Sequence, residues 1–150
     1  MSVVNANGRG SIVPNDPGMN RVLVVDDDLV QRMMLVRILR KAGYESAAAM
    51  SNQEARSLLE GSTFGLLISD LHMFAEDGIE LIRHASDLYP DMYSIVVSGF
   101  ATEDDVDGLR RAGAFELMSK PVDKGKFLEL VERAFDHRAQ KVAERRHKSG

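Results

Sequence analysis

The stretch Val22-Leu23-Val24-Val25-Asp26-Asp27-Asp28 decides the fold. Its apolar run has no polar interruption, the pattern of a parallel strand buried on both faces. The acids that follow end the strand. Asp28 can cap a helix whose apolar side is supplied by Met33, Met34, Leu35, Ile38 and Leu39, and Gly43 suits that helix's end.

The same unit recurs, five times in all from Arg21 onward. A weaker, alanine-rich strand is expected from about Tyr44 to Ala49. A helix near Gln53 to Glu60 follows, capped by Ser51 and closed by Gly61. Gly65 to Ser69 is the third strand, followed by a loop and a helix from about Gly78 to Leu88. Tyr93 to Val97 is the fourth, followed by a helix from about Thr102 to Ala112. A fifth strand, about Phe115 to Met118, leads into a long helix beginning near Asp123. Alternating strands and helices imply an α/β fold with a parallel sheet. Right-handed crossovers align the carboxyl ends of the strands along one edge, where such sheets bind ligands.

Bulk properties bound the reading. The 150 residues suit one domain, and 44% apolar with 28% charged residues is ordinary for a globular chain. Cysteine is absent, which excludes disulfides and thiolate metal sites. No apolar run spans a bilayer and no secretory signal opens the chain, so a cytoplasmic protein without membrane contact is expected. A formal charge of -4 argues against direct nucleic-acid binding. Residues 1–20, rich in Asn, Gly and Pro, are expected to be a disordered leader before a domain over 21–137. Residues 138–150 form a basic helical tail or linker, whose charges suit a solvated helix end.

The chemistry gathers at the strand ends. Asp26, Asp27 and Asp28 follow the first strand, Asp70 the third, Ser98 the fourth, and Lys120-Pro121 the fifth. Singly, each reads as a turn, a cap or a strand exit. Together they crowd carboxylates that would raise one another's pKa unless a cation sits among them. A hard divalent ion such as Mg²⁺ takes one or two carboxylates and completes its shell with water and phosphate oxygens. Lys120 offers a compact charge to a second anionic oxygen and Ser98 a hydrogen bond to a third. The set fits a phosphoryl group, with Asp26 or Asp70 as the nucleophile of an aspartyl phosphate.

Val22 to Asp27, Leu67 to Asp70 with Asp77-Gly78, Val96 to Gly99, and Lys120-Pro121 resemble the response-regulator receiver domain of two-component signalling. The resemblance runs from Arg21 to about His137. It implies a flavodoxin-like sheet of strand order 2-1-3-4-5 with helices on both faces. It makes Asp70 the phosphoacceptor. Asp26, Asp27, Asp70 and the His72 backbone carbonyl become ligands of Mg²⁺ or Mn²⁺. Ser98 and Gly99 form the switch segment with Lys120 as ion-pairing partner. The implied donor is a histidine kinase or a histidine phosphotransfer protein. The domain is then not an enzyme but an acceptor that assists its own phosphorylation and dephosphorylation. It would signal through the fourth helix, fifth strand and fifth helix to an output domain or protein, or through a homodimer.

Three departures stand out. Phe74 replaces the usual proline after the acceptor. Leu117 occupies the switch position that is usually aromatic. His72 and Phe100 lie where family members tune access of the hydrolytic water, and bulky Phe100 is expected to lengthen the phosphorylated lifetime.

Two other readings compete. A haloacid-dehalogenase-type phosphatase would use Asp26 as nucleophile and Asp28 as acid/base, but it lacks a later acidic pair and leaves Asp70 idle. A non-phosphorylated receiver-like module usually loses the acidic pair, the acceptor or the lysine, and this chain keeps them all. No output domain is legible, so a stand-alone regulator or a fragment of a longer one is expected. Apolar positions from Phe127 to Val142 continue a helical period past the expected end of the fifth helix, which suits an overlong helix or a linker or dimer contact.

Overall fold

Each apolar run forms a strand whose successive side chains enter opposite layers of the protein. The computed structural model describes residues 16–73 and 76–149. The five main strands are β1 (Arg21–Val25), β2 (Glu45–Ala49), β3 (Leu66–Asp70), β4 (Tyr93–Ser98) and β5 (Glu116–Ser119). They pair in parallel in the order β2-β1-β3-β4-β5. The helices are α1 (Leu29–Lys41), α2 (Asn52–Gly61), α3 (Gly78–Leu88), α4 (Glu103–Ala112) and α5 (Lys124–Ser149).

Two apolar layers enclose the sheet. Val22, Val24, Leu66, Ile68, Ile95 and Val97 pack against Leu35 and Leu39 of α1 and Phe127, Val131 and Ala134 of α5. Leu23, Val25, Leu67 and Val96 face the opposite way, onto Ala55 and Leu59 of α2, Leu81 and Ile82 of α3 and Leu109 of α4. Strands buried on both faces leave only their ends to meet water. That is why the polar chemistry lies there.

The caps follow the sequence. Asp28 accepts from Val30 and Gln31 at the start of α1, Ser51 from Glu54 at α2, and Asp77 from Ile79 at α3. Thr102 and Asp105 form a reciprocal capping box at α4, and Gly113 ends that helix with φ of 100°, which an L side chain resists.

Several expectations need correction. The apolar side of α1 is narrower than the sequence suggests. Leu35 and Leu39 are buried and Ile38 half-buried, while Met33 and Met34 are exposed at 59% and 37%. The loop after β3 contains a two-residue antiparallel ladder, His72–Met73 with Glu76–Asp77, and Phe74 lies outside the described residues. Residues 1–15 of the expected leader also lie outside them. Asp16 to Asn20, by contrast, turn back onto the domain, with Met19 N–H donating to the Asp16 carbonyl and Arg21 N–H to that of Gly18.

The tail is helical and exposes Lys141, Arg145 and Arg146 as expected, but the helix is unbroken across residue 138 and Arg138 is buried, only 4% exposed. Its guanidinium pairs with the Asp16 carboxylate and its Nε donates to the Asp91 carbonyl at 2.8 Å. Val142, one helical turn further, is also buried, and Arg145 pairs with Asp91. Sequence reading missed this clamp because Asp16 and Arg138 lie 122 residues apart.

Burial alone would raise the Asp16 carboxyl, but the Arg138 hydrogen bond and charge outweigh it and hold the pKa below the ordinary 3.8. The pair therefore contributes stability above that pH, lost as pH falls through the lowered value. Removing one partner of a buried pair costs about 3–5 kcal/mol. Arg138→Ala is expected to lower the melting midpoint of the full chain at pH 7 by roughly 6–20 °C. An unchanged midpoint in thermal denaturation would show that the clamp contributes nothing to stability.

Candidate functional site at the strand carboxyl ends

Asp26 and Asp70 leave β1 and β3, which are neighbours at the centre of the sheet. The carboxylates of Asp26, Asp27 and Asp70 each present an oxygen within 4.8 Å of the others. Asp26 and Asp70 are buried, at 2% and 8% exposure, and Asp27 faces solvent. Lys120 reaches across from the end of β5. Its Nζ lies 3.0 Å from Asp70 Oδ2 and 3.8 Å from Asp26 Oδ2. The Lys120-Pro121 peptide is cis.

Local backbone geometry fixes these groups. Asp28 N–H donates to Asp26 Oδ1 at 2.9 Å, and His72 N–H to Asp70 Oδ1 at 3.2 Å. Arg32 donates to the Asp26 carbonyl at 2.7 Å. Gly78 explains the Asp77-Gly78 pair: a Cβ there would lie 2.5 Å from the Asp70 carbonyl oxygen, so only glycine lets α3 approach β3 so closely.

Burial pushes the Asp26 carboxyl above the ordinary 3.8, and the Asp70 and Asp27 charges add to this. The Asp28 N–H and Lys120 oppose it only in part. The Asp26 carboxyl thus stays above its ordinary value even with Lys120 in place, and an all-oxygen donor set of crowded carboxylates suits a hard divalent cation such as Mg²⁺ or Mn²⁺.

Ser98, at the end of β4, is buried, and its hydroxyl donates to the Phe100 carbonyl at 2.7 Å. Gly99 is exposed, and Phe100 is 72% exposed. Leu117 lies on β5, half-buried against the core layer that contains Leu109 and Val96. Asp28, the acid/base in a phosphatase reading, has its Oδ1 engaged by two backbone N–H groups as the α1 cap. Sequence reading missed Arg32, Thr102 and Asp105. The capping-box spacing Thr102-x-x-Asp105 could have marked that pair, whereas no local pattern points to Arg32.

The fold is shared with known proteins. Residues 22–132 match the family described as the response regulator receiver domain. The chain belongs to this family. The receiver is 37% identical over 106 residues to the response regulator receiver protein CpdR of Brucella abortus, covering 69% of this chain and 86% of that protein. It is 31% identical over 125 residues to the hydrogenase transcriptional regulatory protein HoxA of Bradyrhizobium diazoefficiens, covering 82% of this chain and 26% of that protein. The match thus spans about a quarter of the length of several longer relatives. A CheY-like receiver structure from Methanospirillum hungatei superposes with a TM-score of 0.78 at 30% identity, covering 81% of this chain and 97% of that one. Among the described residues, no helix is long and apolar enough to cross a membrane.

The raised Asp26 pKa has a thermodynamic consequence. In a metal-free receiver, the folded state favours the proton more than the unfolded state does. Its ionised form therefore costs stability as pH rises from below 3.8 through the raised folded value. Asp26→Asn keeps an acceptor for the Asp28 N–H. It is expected to raise the melting midpoint of the metal-free protein at pH 7. The gain should vanish below about pH 4. A midpoint gain that persists there, read by calorimetry with chelator present, would refute this account.

Proposed function

We propose that this receiver is a phosphoryl-accepting switch with Asp70 as its acceptor. The observation that carries the reading is the Lys120 ammonium 3.0 Å from Asp70 Oδ2, beside the carboxylates of Asp26 and Asp27. A carboxylate oxygen of Asp70 attacks phosphorus, the N–P bond of a phosphohistidine donor breaks, and the imidazole leaves with its electron pair. A histidine kinase or histidine phosphotransfer protein is the partner that presents such a donor. Asp26, Asp27, Asp70 and the His72 carbonyl would hold Mg²⁺ or Mn²⁺, which supplies positive charge against the carboxylates and phosphoryl oxygens. Lys120 stabilises a phosphoryl oxygen, and Ser98 donates to another once it releases Phe100.

The chain is in this reading not an enzyme with free turnover. It assists its own phosphorylation, and water returns the acyl phosphate to carboxylate. The output surface is α4, β5 and α5, where a cleft of about 280 Å³ is lined by Val106, Leu109, Arg110, Phe115 and Leu117. An output domain, a separate protein or a second copy of this chain would read it.

Incubation with a small phosphodonor and Mg²⁺ is expected to give a single phosphoryl adduct by intact mass, lost with chelator and in Asp70→Asn. An adduct that persists in that variant refutes the assignment. The Phe100 side chain is expected to shield the acyl phosphate from water. Phe100→Ala should then lose phosphate several-fold faster than the parent, and an equal or slower loss counts against shielding.

A further inference from the structure

One side chain beside the carboxylate cluster is engaged in a way that phosphoryl capture does not require. The Ser98 hydroxyl donates to the Phe100 carbonyl at 2.7 Å and accepts from the Phe100 N–H at 3.1 Å. It thus fastens both backbone polar groups of Phe100. A second donor converges on the same carbonyl: His72 Nε2 lies 3.0 Å from it. A carbonyl only accepts, so this contact needs a proton on Nε2, and the neutral ring supplies it. On its other side, the same nitrogen lies 3.6 Å from Asp105 Oδ2.

Asp105 is the third residue of α4. Its carboxylate accepts the Thr102 N–H at 2.9 Å, and its own N–H donates to the Thr102 hydroxyl at 3.1 Å. The His72 ring therefore leaves the loop after β3, crosses to the loop after β4, and ends against the first turn of α4. Phe100 is 72% exposed and lies outside both core clusters.

We propose that the His72 imidazole is a positioning group, a clasp that holds the Phe100 carbonyl in the resting protein and couples the Ser98 loop to the start of α4. The inference rests on the reading of Ser98 as the hydroxyl that turns toward the phosphoryl group. Ser98 has one proton. Donating it to a phosphoryl oxygen breaks its bond to Phe100, and the hydroxyl moves away from the Phe100 N–H as well. Of the two donors on the Phe100 carbonyl, His72 then remains. As the Phe100 carbonyl shifts, Asp105 is the nearest alternative acceptor for Nε2, and that contact competes with Thr102 for the carboxylate. Movement of one hydroxyl is thereby registered in the capping box of α4, without any change at Leu117.

Amide hydrogen exchange on the full chain tests this in the resting protein. In His72→Ala, exchange at the Phe100 and Asp105 amides is expected to quicken roughly two- to tenfold, the factor for one ordinary hydrogen bond. Amides of β1 and β3 should keep their rates. His72→Gln, which carries an N–H donor at similar reach, should restore both. Unchanged exchange in His72→Ala overturns the proposal, as does quickening spread over the whole domain or a failure of glutamine to restore. Intact mass of the wild-type protein after phosphodonor and Mg²⁺ reads the Asp70 assignment separately. Absence of an adduct there would overturn Asp70 as acceptor, while the exchange rates still decide whether His72 holds the Phe100 loop.

Discussion

Three carboxylates converge at one sheet edge, two of them buried, and much of this molecule is arranged around that crowding. Adjacent strands bring Asp26 and Asp70 together whatever their charges prefer. Lys120 comes from β5, two strand spacings or roughly 10 Å from β3. Only a long stem reaches that far, and the Lys120 ammonium arrives within 4 Å of both buried acids. Because burial and like charge act together on Asp26, the site holds stored repulsion that a cation or a proton relieves. A phosphoryl group without a metal would deepen the repulsion, which is why acceptor chemistry and cation binding belong to one reading.

The repulsion is tolerated because the rest of the domain is apolar and tied at its far end. Both layers of the sheet are close to fully buried along β1, β3 and β4. At the opposite end of the strands, Arg138 of α5 fastens Asp16 and the Asp91 carbonyl. A cleft of about 610 Å³ adjoins it, lined partly by Phe64, Met92 and Val142. Polar groups thus lie at both ends of the sheet with opposite consequences. The clamp pairs its charges and contributes stability, while the acidic cluster holds a buried carboxyl, Asp26, whose ionisation its surroundings oppose.

What could be read from sequence divides along these lines. Val22–Val25, Leu66–Ser69 and Tyr93–Val97 announce themselves as strands because uninterrupted apolar runs have few other uses. Once parallel strands are granted, topology places Asp26, Asp70, Ser98 and Lys120 together without further information. Helix α1 is harder. Met33 and Met34 are apolar by type, yet the face set by Leu35 and Leu39 leaves them outside. The clamp and the His72 contacts are harder still. Each joins residues far apart in the chain through side chains whose partners no local pattern specifies. A charge run such as the one beginning at Arg138 suggests solvent unless the distant acid is known.

The position of Leu117 then becomes a question of which parts near the site are free to move. Leu117 packs against a core layer, so shifting it disturbs apolar contacts on β4 and α4. An aliphatic side chain there also lacks the polar tip by which a tyrosine can trade a buried position for a solvated one. The Ser98–Phe100 segment has neither restraint. It is held by a few hydrogen bonds through Ser98 and His72, and its aromatic ring faces solvent. Hydrogen bonds of this kind exchange partners at small net cost, whereas core packing does not. In the proposed switch, coupling from Asp70 therefore runs more readily through the start of α4 than through β5.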